Sequence, residues 1–202
     1  MGRAARHPGR ARGGSITTST YTLENFISDL DRITREETSP RVITERVAPI
    51  LAQLVKNPLS VPSEFRRRPP GQRRGRYMLH RAPRFNVTAV VWGPRETARA
   101  HNHETWGVIG VIDNEIEETR YRVEEGAQAG RATLAVKTVM HHTPGAISCL
   151  VPGDEVHAMH NPTDRDTVEI HVYGKDLSGL KRKTWDADGT EKPLITPKYM
   201  NC

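Results

Sequence analysis

Cysteine and long apolar runs are the two features that this chain of 202 residues most clearly lacks. Cys149 and Cys202 are its two cysteines, and they form neither a C-x-x-C pair nor a disulfide framework. No apolar run reaches the roughly 20 residues that a membrane-spanning helix needs. Because no apolar segment follows the basic start of the chain, we expect no secretory signal. These absences favour a cytoplasmic protein with no membrane partner.

Aromatic residues are also few, at 5% of the chain, which affects how its basic segments are interpreted. The net charge is +6, and arginines are concentrated in a Gly-rich start and in a Pro/Gly-rich segment between Arg66 and Arg76. Such runs can bind nucleic acid, but neither contains the interleaved aromatic residues that stack on bases. We therefore interpret residues 1–18 as a disordered basic tail and the second run as a solvated loop.

The remaining residues, 19–202, are enough for a single domain with a substantial core. Apolar residues at helical spacing predict a helical part over 21–57, with a first helix over about 22–36. A second helix is predicted to begin with Ser39 as its cap and Pro40 in its first turn, and to end at Asn57-Pro58. The apolar stripes of both helices indicate faces that pack on a core.

From Tyr77 onward the apolar period changes to two, which is typical of strands. Turn signals such as Asp113-Asn114 and Pro152-Gly153 separate the candidate strands. The candidates are about 77–81, 85–92, 104–112, 115–123, 132–140, 146–151, 156–161 and 166–173. Many short strands at this spacing indicate a mainly β fold, a sandwich or a barrel such as a jelly roll, over about residues 77–175. The C-terminal tail after it is predicted to be irregular.

Three histidines predict a metal site. His101 and His103 form an H-x-H pair, and alternate residues of a strand point to the same face, so both imidazoles can reach one point. His157, in a distant candidate strand, would complete a set of three nitrogen ligands. Three protein ligands with open positions are typical of a catalytic metal rather than a structural one.

At these residues the sequence resembles the cupin superfamily and, within it, the thiol dioxygenases: cysteine dioxygenase and, more closely, the bacterial 3-mercaptopropionate dioxygenases. The resemblance covers about residues 77–183. The matching stretches are Phe85 to Pro94, His101 to Gly110, Glu118 to Tyr121, Pro152-Gly153-Asp154 with His157 and Asn161, and Ile170 to Gly174. The resemblance implies a cupin jelly-roll barrel with two or more N-terminal helices. It also implies an Fe(2+) cofactor and an oxidoreductase that adds both atoms of O2 to the sulfur of a small thiol carboxylate, giving a sulfinic acid.

The predicted ligand set contains no carboxylate. Many cupins place one four or five residues after the second histidine, where this chain has Gly107 and Val108. Glu104 adjoins His103 and is expected to point to the opposite face of its strand. Three neutral imidazoles would leave iron(II) with its charge of about +2, which favours a thiolate ligand and lowers the pKa of a bound thiol.

Further site residues follow from the resemblance. His171 and Tyr173 would belong to a Ser-x-His-x-Tyr relay beside the iron, but Glu169 stands where the family has serine. Glu169 is expected either to hydrogen-bond His171 or to turn towards solvent.

Two residues are candidates for substrate binding. Arg182 matches an arginine of the bacterial enzymes that would bind a substrate carboxylate through its guanidinium fork, unless it belongs to an exposed basic run. Trp106 is expected to be either a wall of the pocket or part of the core.

Two alternative functions remain beside the thiol dioxygenase. One is a three-histidine cupin dioxygenase that cleaves a carbon–carbon bond in a diketone-like substrate, against which His171 and Tyr173 argue. The other is a non-catalytic cupin that binds a small ligand, with its basic N-terminus touching nucleic acid; no helix-turn-helix pattern favours it. The expected partners are a small thiol and O2, while the identity of the thiol and the oligomeric state stay open.

Overall fold

The computed structural model of the chain describes residues 21–57, 59–126 and 129–202, so the tail predicted over 1–18 lies outside the described residues. Its N-terminal part consists of two helices, α1 (Leu23–Glu36) and α2 (Pro40–Leu54). The Thr22 hydroxyl accepts a hydrogen bond from the Asn25 backbone N–H at 3.2 Å, and the Asn25 side chain accepts one from the Thr22 backbone N–H at 3.0 Å. This reciprocal cap fixes the start of α1. Both predicted helices are therefore present.

A short 3-10 helix (Ser63–Arg66) follows α2, and the remaining regular structure of the described residues consists of β-strands. The strands are β1 (Arg74–Arg81), β2 (Asn86–Trp92), β3 (Thr97–His101), β4 (Gly107–Asp113), β5 (Ile116–Glu125), β6 (Ala132–His142), β7 (Ile147–Leu150), β8 (His157–His160), β9 (Thr167–Tyr173), β10 (Arg182–Trp185) and β11 (Glu191–Leu194). They form two antiparallel sheets, ordered β1-β2-β9-β4-β7 and β11-β10-β3-β8-β5-β6. The predicted mainly β fold with two N-terminal helices is confirmed.

Two expectations about the strands were wrong. The candidate strand over 104–112 begins only at Gly107, because Glu104 adopts a positive φ of 56° and turns the chain after β3. The C-terminal tail is not irregular throughout, because β10 and β11 pair with each other and Thr184 of β10 pairs with His101 of β3. The four-residue strand β10 carries two cations and a threonine, so it shows no apolar alternation by which it could be recognised.

Alternation along the central strands separates the core from the barrel interior. Strands β2 and β9 are buried along their whole length. Their side chains on one face, such as Val87, Val91 and Ile170, pack in one cluster with the apolar faces of α1 and α2. Alternate residues point to the other face, so Thr88, Val90, Trp92, His171 and Tyr173 line the barrel interior. The helices therefore support the sheet that carries part of the site.

The contact between α2 and the first sheet is the point where we expect the fold to be most sensitive. Leu51 is fully buried, and a Cβ at Gly110 of β4 would lie 3.2 Å from its Cδ2 atom. Truncation of Leu51 would leave a cavity between helix and sheet. We expect Leu51→Ala to lower the free energy of unfolding by about 2–5 kcal/mol, measured by urea denaturation. Leu59→Ala is the control, because Leu59 is 85% exposed and its loss should change stability by less than about 0.5 kcal/mol. Equal effects would contradict this packing.

Candidate metal centre

The structure brings the three predicted histidines together. His101 ends β3 and His157 begins β8, and the two are directly paired across these antiparallel strands. His103 follows in the turn after β3. One ligand atom from each of the three histidines lies within 4.8 Å of the others. Their ring centroids are 4.9 Å (His101 to His103), 4.8 Å (His101 to His157) and 5.0 Å (His103 to His157) apart.

The H-x-H pair converges by a different route from the one that the sequence predicts. Asn102 is fixed to β10, since its backbone N–H donates to the Lys183 carbonyl at 3.1 Å and its Oδ1 accepts from the Lys183 N–H at 2.7 Å. The positive φ of Glu104 then turns the chain back. His101 on the strand and His103 in the turn therefore face the same point, although they do not share a strand face.

The outer nitrogens of the imidazoles show that the inner ones are available for a metal. His157 Nδ1 lies 2.7 Å from a carboxylate oxygen of Glu118, and His101 Nδ1 lies 2.8 Å from the carbonyl of Arg99. Because a carbonyl or carboxylate oxygen accepts, each ring donates from Nδ1, and its Nε2 keeps a free lone pair. His103 Nδ1 is buried without a partner, 4.0 Å from Glu155.

Distances and charge state also fit a metal ion. A nitrogen bound at about 2.1 Å puts its ring centroid about 3.2 Å from the ion, so two bound rings lie roughly 4.6 to 5.2 Å apart for angles between about 90° and tetrahedral. The observed separations of 4.8 to 5.0 Å fall in this range. Burial, and then the charges of the neighbouring histidines, hold the pKa of His101 and of His103 well below its usual value. Both rings are therefore neutral and ready to bind a metal.

No carboxylate joins the three histidines in the described part of the chain. Glu104 is exposed and accepts a hydrogen bond from the Asn102 side chain at 2.5 Å, while Gly107 and Val108 lie at the start of β4. Three imidazole ligands suit iron, copper, nickel or zinc. The residues thus fit a mononuclear divalent metal.

Glu118 of β5 is a site residue whose role the sequence did not reveal. It is fully buried, and its carboxylate accepts hydrogen bonds from His157 at 2.7 Å, from Arg120 at 3.0 Å, and from His142 and Ser148 at 2.8 Å each. Burial raises the pKa of Glu118, but the hydrogen bonds from His142 and His157 and the charge of Arg120 outweigh it and hold that pKa well below its usual range. The signal in the sequence is weak: Glu118 alternates with Ile116, which places both on one face of β5, and the structure buries both side chains.

Glu169 turns inward rather than towards solvent. It is fully buried, and its Oε2 accepts hydrogen bonds from Trp92 Nε1 at 2.6 Å and from His171 Nε2 at 2.9 Å. Because His171 donates from Nε2, its Nδ1 accepts from the Tyr173 hydroxyl at 2.8 Å. Burial raises the pKa of Tyr173, and its ring stacks on His103 at 5.3 Å. The predicted relay residues are therefore connected and reach the histidine cluster.

A cavity of about 350 Å³ opens beside the three histidines. Arg182 lines it and is only 7% exposed, so it does not belong to an exposed basic run. Its Nη1 donates to the Asn102 carbonyl at 2.7 Å, and its Nη2 donates to the Thr196 hydroxyl.

Trp106 is not part of the lining: it packs in the hydrophobic core, where its indole lies against Gly174. Of the two expectations for Trp106, a wall of the pocket or part of the core, the structure shows the core position.

Arg74 and Arg76 correct the prediction of a solvated loop. Both belong to β1, and as alternate residues of that strand they point to the same face and line the cavity. The Arg74 guanidinium stacks on the Trp92 ring at 3.6 Å and pairs with Glu96 at 2.9 Å. In this stretch arginine alternates with Gly75 and Tyr77, which are buried. This alternation is a strand signal, but the basic composition of the segment favoured a loop.

The sequence matches no protein-family model. The fold is similar to that of the Cupin_2 domain of an XRE family transcriptional regulator from Enterobacter cloacae, with a TM-score of 0.38 and 15% identity over 52% of this chain and 99% of that one. A double-stranded β-helix protein from Klebsiella pneumoniae has a TM-score of 0.40 and 17% identity, over 66% of this chain and 93% of that one. An oxalate oxidase has a TM-score of 0.42 and 12% identity, over 59% of this chain and 60% of that one.

The helices of the described residues include none that is long and apolar enough to span a membrane.

The hydrogen bond from His157 to Glu118 predicts how metal affinity depends on Glu118. Glu118→Gln keeps the shape of the side chain but removes its negative charge. That charge accepts the hydrogen bond that orients His157, and it also holds Arg120, His142 and Ser148. We expect metal affinity to fall about 10- to 100-fold, measured by competition with a chelator, whereas His157→Ala should abolish binding. If His157→Ala keeps its full metal content, the ligand assignment is wrong.

The neighbouring glutamate supplies the control for this prediction. Glu117 lies on the opposite face of β5, partly exposed, with its carboxylate 3.1 Å from His141. Glu117→Gln should therefore leave metal affinity unchanged within about twofold. A similar loss in Glu117→Gln and Glu118→Gln would show that the charge of the sheet, rather than the contact with His157, sets the affinity.

Proposed function

We propose that this protein is a cupin-type, non-haem iron(II) thiol dioxygenase, which converts a small thiol carboxylate into a sulfinic acid. The observation that carries the proposal is that a cluster of three imidazoles, with no carboxylate among them, is connected to the Glu169–His171–Tyr173 relay through the stacking of Tyr173 on His103. The reaction R–SH + O2 → R–SO2H balances without an external reductant, because both oxygen atoms enter the product. We also propose a cytoplasmic location.

His101, His103 and His157 would hold the iron, which when bound supplies the redox chemistry for the reaction of O2 with sulfur. The histidines contribute no negative charge, so a thiolate from the substrate is the favoured anion at this centre. The barrel buries His103 and His157 almost completely, and bulk water is therefore kept from their side of the centre.

The relay gives the substrate proton a place to go. The Tyr173 hydroxyl donates to His171 Nδ1, so its oxygen lone pairs are free to accept a proton or a hydrogen bond from the thiol in the cavity. A proton passed from Tyr173 to His171 Nδ1 would give an imidazolium beside Glu169, whose carboxylate lies 2.9 Å from His171 Nε2. The Glu169 carboxylate would then accept the hydrogen bond that this imidazolium donates from Nε2.

Arg182 would bind the carboxylate of the substrate. It lines the same cavity as the histidines, and its buried Nε has no hydrogen-bond partner. A carboxylate held there would fix the substrate at its acid end while the sulfur reaches the metal.

The test is oxygen consumption by iron-loaded protein with a panel of small thiols and one β-diketone. We expect turnover with a thiol carboxylate and a sulfinic acid product that gains both atoms of ¹⁸O2 by mass spectrometry. Cysteamine, which has a thiol but no carboxylate, should react poorly. Turnover of the diketone instead would favour carbon–carbon cleavage, and no turnover of any compound at full iron occupancy would favour a non-catalytic ligand-binding protein.

Removal of the Tyr173 hydroxyl should separate metal binding from the relay. We expect Tyr173→Phe to keep its iron but to lower kcat by about 100-fold, the scale of general acid–base catalysis, or to consume O2 without forming a matching amount of sulfinic acid. Tyr77→Phe is the control, because the Tyr77 hydroxyl donates to the Arg67 carbonyl at 2.7 Å outside the cavity. An unchanged kcat and unchanged coupling in Tyr173→Phe would contradict the relay.

A further inference from the structure

Two arginines in the cavity form no ion pair with a carboxylate of the described residues. Arg76 and Arg182 both line the cavity, and neither forms an ion pair with an acidic side chain in this part of the chain. The other two cavity arginines differ in this respect. Arg74 pairs with Glu96 at 2.9 Å, and Arg99 at the rim pairs with Asp186 at 2.7 Å.

The hydrogen bonds of this pair go to neutral groups. Arg76 Nη1 donates to the Pro197 carbonyl at 2.7 Å, and its guanidinium lies 4.8 Å from the Tyr199 ring centroid. Arg182 donates to the Asn102 carbonyl and to the hydroxyl of Thr196, the neighbour of Pro197. The two guanidinium groups are therefore anchored to consecutive residues, on one wall of the cavity. Each has five N–H donors, so each keeps donors for a ligand.

The charges of two acidic residues, Glu155 and Asp176, act on this pair of arginines, but neither residue forms an ion pair with them, and Glu155 accepts a hydrogen bond from the Glu104 backbone N–H at 3.1 Å. Asp176 pairs with Arg81 at 2.9 Å and accepts a hydrogen bond from the Tyr199 hydroxyl at 3.0 Å. Burial lowers the pKa of Arg76 and of Arg182, and the charge of Arg76 lowers that of Arg182 further. A guanidinium does not lose its proton in proteins, so both charges remain, and an anionic ligand in the cavity would be attracted to them.

A charge count indicates how many anionic groups the ligand carries. A thiol with one carboxylate brings two negative charges as its thiolate: one for the metal and one for a single arginine. The second arginine would stay unmatched in a partly buried wall. A thiol with two carboxylates brings one anionic group for the metal and one for each arginine.

We propose that the substrate is a thiol dicarboxylate, with one carboxylate bound by Arg182 and the other by Arg76. This assignment rests on the proposed function, of which it specifies the substrate class. The cavity has a volume of about 350 Å³. This lies within the range of roughly 300–1,000 Å³ that small-molecule sites occupy, so the cavity can hold a small thiol with two carboxylates.

The first experiment needs no turnover. Isothermal titration calorimetry of the protein with succinate and with propionate compares a dicarboxylate with a monocarboxylate, both lacking sulfur. We expect succinate to bind at least tenfold more tightly. Arg76→Gln should remove this preference while changing propionate affinity by less than about threefold. Arg99→Gln removes a paired arginine of the same region and should leave the preference intact. Equal affinity of the two acids, or an equal loss of both in Arg76→Gln, would overturn the assignment.

The second experiment separates this inference from the proposed function. Oxygen consumption with mercaptosuccinate and with 3-mercaptopropionate should give a kcat/KM at least tenfold higher for mercaptosuccinate, and Arg76→Gln should reverse that order. If both thiols react with equal kcat/KM, the dioxygenase stands and the dicarboxylate assignment fails. If neither reacts but succinate is preferred in the titration, the dicarboxylate site stands and the dioxygenase fails. Should Arg76→Gln not fold, the wild-type preferences decide both points, and Arg76→Lys supplies the variant.

Discussion

The buried carboxylate of Glu118 is the constraint on which the candidate metal centre depends. It orients His157 from behind, and through Arg120, His142 and Ser148 it joins β5, β6 and β7 to the strand that carries His157. A buried charge is tolerated when several donors satisfy it, and here four side chains do so. The same contacts that stabilise the charge therefore fix the tautomer and direction of one metal ligand.

Glu169 has the corresponding role in the other sheet. Its carboxylate is held by Trp92 and orients His171, so each of the two sheets places one buried acid behind one histidine of the cavity. Glu118 accepts hydrogen bonds from β5, β6 and β8 of its own sheet and from Ser148 of β7 in the other, and Glu169 accepts from Trp92 and His171 of its own sheet. Neither acid forms an ion pair with Arg76 or Arg182. The proposed dicarboxylate ligand would supply the carboxylates that face Arg76 and Arg182.

The sequence predicts the parts of this arrangement that have a local pattern. Period-two alternation gives most strands, and H-x-H with a distant His157 gives the cluster. It does not predict the turn at Glu104, because a positive φ in a non-glycine residue is imposed by the anchoring of Asn102 on a distant strand. Nor does it predict that Arg74 and Arg76 enter the cavity, since composition alone cannot tell a basic loop from a strand with one buried face. The role of Glu118 likewise depends on partners that are remote in sequence.

The segment expected to be irregular has the largest effect on which ligand fits. Strand β10 pairs with β3 at Thr184 and His101, and the Thr184 hydroxyl donates to the Ala100 carbonyl at 2.8 Å. Asn102 contacts both the β10 backbone and Arg182. The proposed anion-binding group and the candidate metal ligands His101 and His103 are therefore held by one short stretch of backbone. In the proposed reaction, this stretch would set the distance between a bound sulfur and a bound carboxylate. Small changes in β10 would therefore alter the length of acid that the cavity accepts without altering the metal centre.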